Sequence, residues 1–108
     1  MDWYKFTIKS DKVISGESTD IINAIGKIID FSPNVKRNKV ALFTIMLYDS
    51  SLEVYISPEI SKVIKTDLPI HGATPCLDPS LDDNVDLGKL QLAFGNPEVL
   101  DNSSKWIK

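Results

Sequence analysis

The chain has 108 residues, 43% apolar and 25% charged, with a net charge of -3 and a pI of about 5.0. That is one domain's length, with enough apolar material for a core without disulfide or metal staples. The acidic balance argues against nucleic acid, whose phosphates call for clustered Lys and Arg. The one tight basic group, Lys36, Arg37 and Lys39, reads as a solvated loop. A single cysteine, Cys76, forms no internal disulfide and favours a reducing compartment. The start, Met1-Asp2-Trp3-Tyr4-Lys5, does not have the basic-then-apolar form of a signal peptide, and the longest apolar stretch, within residues 40–48, is too short to span a bilayer. The expectation is a cytoplasmic protein without membrane or nucleic-acid partners.

Residues 3–9 alternate Tyr4, Phe6 and Ile8 with Lys5, Thr7 and Lys9, the period of a half-buried strand. Ser15 to Thr19 breaks that pattern, and Ser18 or Thr19 can cap a helix over residues 20–30. Its stripe is Ile21, Ile25, Ile28 and Ile29, joined by Ile22 and Ala24. Gly26 weakens this helix by about 1 kcal/mol unless it marks a close contact with the sheet. Residues 39–48 read as a second strand, apolar on both faces: Ala41, Phe43, Ile45 and Leu47 on one, Val40, Leu42, Thr44, Met46 and Tyr48 on the other. Asp49-Ser50-Ser51 turns the chain into an antiparallel third strand, 52–56, with Leu52, Val54 and Ile56 facing the core and Glu53 and Tyr55 outward.

Ser57-Pro58-Glu59 is a helix start, with Ser as cap, Pro at the first position and Glu against the dipole. The second helix runs to about Asp67 on Ile60, Val63 and Ile64, with Pro69 ending it. A fourth strand lies within 70–77, short and at an edge because of Gly72 and Pro75. Residues 78–86 form an acidic loop, and 89–94 a fifth strand with Leu90, Leu92 and Phe94 alternating. Asn96-Pro97-Glu98 repeats the cap logic in a short turn, and the tail 101–108 is expected to be loosely held, with Trp106 as a docking residue.

The order strand–helix–strand–strand–helix–strand resembles the ferredoxin-like architecture. It implies an α+β domain over 1–108: an antiparallel sheet of four or five strands with two helices on one face. The fifth strand is an addition, or a replacement for the irregular fourth. A second pattern, Tyr55-Ile56-Ser57-Pro58-Glu59, then Gly72-Ala73-Thr74-Pro75-Cys76, then Leu90 to Gly95, resembles small bacterial proteins of uncharacterised role. Neither likeness implies an activity.

Few residues suit chemistry. His71 is the only histidine, and its pairing with Cys76 as a nucleophile competes with a buried thiol and a surface imidazole. His71, Cys76 and Tyr55 could line a pocket. Asp78, Asp82, Asp83 and Asp86 could make an acidic contact or hold a cation weakly, but they do not have the alternating spacing of a calcium loop. The five glycines are scattered singly, so no phosphate-cradling loop is present. No catalytic residue, metal ligand or cofactor is assigned.

A ferredoxin-like sheet leaves one face open, so one side of the second strand needs a cover. On this reading Val40, Leu42, Thr44, Met46 and Tyr48 form an interface, to a homodimer or a protein partner, in a non-enzymatic binding module. The alternatives are an acidic immunity-type protein or inhibitor, and a small ligand-binding protein or enzyme. The fifth strand with the tail is the internal candidate for the cover.

Overall fold

The computed structural model describes residues 2–67 and 73–100, without the side chains of 65–67. It is an α+β fold built on one five-stranded antiparallel sheet. The strands are β1 (Trp3–Ile8), β2 (Ala41–Met46), β3 (Leu52–Ile56), β4 (Thr74–Cys76) and β5 (Gln91–Gly95), in the spatial order β4-β1-β3-β2-β5. The first four follow the ferredoxin-like order: β1 and β2 flank β3, and each pairs with it antiparallel. The fifth strand is an addition, paired to the outer side of β2. Among the described residues, no helix is long and apolar enough to cross a membrane.

Among the described residues three α-helices accompany the sheet: α1 (Ser10–Ile14), α2 (Glu17–Asp30) and α3 (Pro58–Asp67). The short α1 was not expected from the sequence, because five residues that bury no side chain leave no periodic signal. Gly16 separates it from α2 and adopts φ +86°, a conformation that suits glycine at a helix end. The second helix therefore starts at Glu17 with Gly16 as its cap, and Ser18 lies inside it, buried. Neither Ser18 nor Thr19 caps it.

The isoleucine stripe of α2 and the Ile60–Ile64 stripe of α3 cover one face of the sheet. Ile25, Ile29, Ile60 and Ile64 join Phe6, Ile8, Val40, Leu42, Val54 and Ile56 in one buried cluster. Ser57 at the start of α3 has another role besides opening the helix. Its hydroxyl accepts the Ala41 N–H and donates to the Lys39 carbonyl, at 3.0 Å each. The helix start is thereby bolted to the beginning of β2. Glu59 adds a second tie, accepting the Lys36 N–H at 3.0 Å and the Lys62 ammonium at 3.3 Å. Of the basic group, Lys36 is thus held by Glu59, and Arg37 bonds the Asp30 carboxylate and carbonyl at the end of α2.

The opposite face of the sheet is covered as well. Trp3, Ala41, Phe43, Ile45 and Tyr55 form a second buried cluster with Leu90 and Leu100. The cover comes from segment 77–100: β5 joins the sheet, and the residues on either side of it cross the face through 3-10 turns at Pro79–Leu81, Leu87–Lys89 and Pro97–Val99. A bulge in β5 links the two faces. Leu42 is opposite Phe94 while Phe43 is opposite Leu92, so Ala93 is the extra residue between them. Leu92 and Phe94 consequently point to opposite faces, one toward each cluster. Regular alternation had put them on the same side.

This overturns the expected open face. Val40 and Leu42 are not surface residues: they lie under the helices, 4% and 0% exposed. The sequence held the signal for this. Directly opposite residues of an antiparallel pair share a face. The turn at 47–51 sets Leu42 against Ile56 and Thr44 against Val54. Those partners were already assigned to the core, so their face is the helix-covered one. Tyr55, expected outward, is 3% exposed beneath the cover.

Candidate functional site

The residues singled out from the sequence fall into three places. Cys76 ends edge strand β4 opposite Trp3 and is half-buried. Burial pushes its thiol up to about 11, against the opposing pull of Lys5, with Asp82 and Glu53 adding to the rise. At neutral pH it stays a protonated thiol, which is a poor nucleophile. His71 lies outside the described residues, as do Pro69 and the tail with Trp106.

The acidic loop does structural work. Asp78 accepts the Ser80 N–H at 2.8 Å, Asp82 the Asn84 N–H at 2.9 Å and Asp86 the Gly88 N–H at 3.0 Å. Asn96 repeats the pattern with the Glu98 N–H at 3.0 Å. Each is an Asx turn, in which a short side chain replaces a backbone acceptor two residues behind. The four-residue spacing of Asp78, Asp82 and Asp86 therefore sets the folding of the cover. Among the described residues, no three or more His, Cys, Asp or Glu side chains are grouped so as to hold a metal ion.

The third place is the end of the β2–β3 hairpin. Met46, Leu47 and Tyr48 lie together there at the surface, Tyr48 fully exposed and Met46 53% exposed. The hairpin turn is held by the Asp49 carboxylate, which accepts the Ser51 N–H and hydroxyl. Those bonds hold the Asp49 carboxyl below its ordinary range. Beside Tyr48 is a cleft of about 380 Å³, bounded by Met46, Glu53 and Tyr55 on the strands and by Val85, Asp86 and Lys89 on the cover. The Lys89 ammonium sits 5.3 Å from the centre of the Tyr48 ring, within cation–π range. The Tyr55 hydroxyl donates to the Glu53 carboxylate. Burial first, then that bond and the carboxylate's charge, raise the Tyr55 phenol above its ordinary range, so it remains a neutral donor.

The hairpin end combines an apolar surface, an aromatic ring open to solvent and a carboxylate-lined cleft. Of the expected interface set, Met46 and Tyr48 are exposed here, whereas Thr44 is only 9% exposed. The sequence pointed to neither Glu53 nor Lys89, because the partners that make them a site are 36 residues apart and meet only through the cover. A larger opening, about 740 Å³, lies at the other end of the sheet near Trp3, Lys39 and Glu59. Three of its polar side chains serve internal bonds: Glu59 holds Lys36 and Lys62, Asn96 bonds the Asn38 carbonyl, and Asp78 bonds Ser80. No protein-family model, curated protein or solved structure matches the chain.

Proposed function

We propose that the protein is a non-enzymatic interaction module that binds a partner protein through the end of the β2–β3 hairpin. The observation that carries this reading is the joint exposure of Met46, Leu47 and Tyr48 beside the cleft. Exposed Tyr and Met at the centre of a patch with a charged rim are the usual anchors of a protein interface. The rim is mostly acidic: Glu53 and Asp86 line the cleft beside Lys89, and Asp49 lies in the adjoining hairpin turn. Such a rim favours a partner with basic residues around an apolar centre. That is the form an immunity-type protein or inhibitor would take. Self-association through an open sheet face no longer has a motive, because segment 77–100 covers that face. A second copy docked at the hairpin would also bring two acidic rims together.

The test is capture of the partner by wild type and by the Met46→Ser, Tyr48→Ala double variant, with circular dichroism to confirm an unchanged fold. Both side chains are at the surface, so the stability change is expected within about 0.5 kcal/mol. A partner held by wild type in low salt should be lost from the variant and weakened by added salt. Binding that is indifferent to both changes overturns the reading.

A further inference from the structure

We infer that the cleft at the hairpin end takes an arginine side chain of the partner; this rests on the interaction reading above and names the chemistry of its contact. Three features of the cleft converge on a guanidinium. The first is the Tyr48 ring, whose face is already occupied by a cation from the same chain, the Lys89 ammonium at 5.3 Å. An intramolecular lysine at that position shows that the ring accepts positive charge, and its exposed, flexible stem makes it displaceable. The second is the pair of carboxylates on the walls, Glu53 and Asp86, which face one opening from different elements. Glu53 is oriented by the Tyr55 hydroxyl, and Asp86 by the Gly88 N–H. The third is the apolar lining by Ile45, on the same sheet face as Glu53, and by Val85 of the cover, against which the methylene stem of an arginine can lie.

Arginine fits better than lysine on two counts. A planar guanidinium stacks on a phenol ring while its edge donates paired hydrogen bonds to a carboxylate. It is also more weakly hydrated than an ammonium, so leaving water for a half-open cleft costs less. Lys89 then acts as an internal competitor that keeps the ring covered until the partner arrives.

The probe is Nα-acetyl-arginine amide titrated into the ¹⁵N-labelled full chain, with Nα-acetyl-citrulline amide as the uncharged isostere. Arginine amide should shift the amide signals of residues 46–53 and 84–89, and citrulline amide should bind roughly fivefold more weakly or worse. Lys89→Ala, which clears the ring and removes a positive charge, should tighten arginine-amide binding by roughly two- to fivefold, and Tyr48→Leu should loosen it by about the same factor. Equal binding of the two amides, or no tightening in Lys89→Ala, overturns the assignment. A partner whose capture depends on Tyr48, together with no arginine-amide shifts, overturns the arginine assignment alone. Arginine-amide shifts with no Tyr48-dependent partner support the cleft as a guanidinium site and overturn the interaction reading.

Discussion

The two faces of the sheet are both buried, but by different means. On one, α2 and α3 bring isoleucines at helical spacing onto the aliphatic side chains of β1, β2 and β3. On the other, an irregular segment brings Leu90 and Leu100 onto Trp3, Phe43 and Tyr55. The helices satisfy their own backbone groups as they form. The cover satisfies many of its own through side chains, in Asx turns at Asp78, Asp82, Asp86 and Asn96. Fewer cooperative backbone bonds hold the cover, so it should open locally at lower free energy than the helix layer. The candidate site lies where the weaker layer meets the hairpin, with Glu53 and Tyr55 contributed by the sheet and Asp86 and Lys89 by the cover. The difference teaches that a face covered without periodic structure can also be the face that carries recognition.

The most severe test of this comparison is Gly95→Ala. Gly95 has φ +98°, and a Cβ there would lie 2.1 Å from the Val40 carbonyl oxygen, where β5 closes on β2. The same oxygen accepts the Asn96 N–H at 2.7 Å. The substitution should cost about 3 kcal/mol or more in urea unfolding. Hydrogen exchange should rise first in residues 91–100, with α2 and β3 the last to lose protection. Equal loss of protection in both layers would abolish the distinction between them.

Glu59 tests the helix layer with a smaller effect. The Lys36 N–H, and then the Lys62 ammonium, hold its carboxyl below the ordinary range despite the opposing effect of burial. A carboxyl depressed in the folded state adds stability that is complete above its unfolded pKa and is lost as pH falls through the folded value. Glu59→Ala should cost about 2 kcal/mol at pH 7. The variant should also show a shallower decline of stability below about pH 5 than wild type. Parallel acid limbs for the two proteins would remove Glu59 from the account.

Gly26→Ala sharpens the comparison in the stabilising direction. Gly26 lies within α2, and a Cβ there would meet the Phe94 ring at 3.7 Å, an ordinary contact. Removing a helix-interior glycine without a clash should raise stability by about 0.5–1 kcal/mol in the same urea assay. A loss instead would mean that Phe94, placed on the helix side by the β5 bulge, cannot yield at all.

Much of the scaffold was legible in the residues themselves. Alternation marked β1 and β3, the turn at Asp49-Ser50-Ser51 marked the hairpin, the isoleucine stripe marked α2, and Ser57-Pro58-Glu59 marked α3. The close contact with the sheet that would have required Gly26 is not there: a Cβ at that position has ordinary room beside Phe94 of the added strand β5. The site was less legible. Met46 and Tyr48 were nominated, but on the premise that they shared an open face with Val40 and Leu42. They are exposed for another reason: Met46 is the last residue of β2 and Tyr48 lies in the turn beyond it, where the helix layer ends and the cover contributes only the Lys89 side chain over the ring. The acidic loop was seen as a charge cluster, and its regular spacing as Asx turns was not recognised.

The sequence by itself determined the elements whose burial repeats with a fixed period, together with their order along the chain, because short-range pattern and local caps suffice for both. The tertiary structure alone decided which face the helices took, how segment 77–100 closed the other, and that Lys89 came to rest over Tyr48. Those outcomes depend on pairing register, on one extra residue in β5 and on contacts between residues far apart in the chain, none of which leaves a local periodic trace.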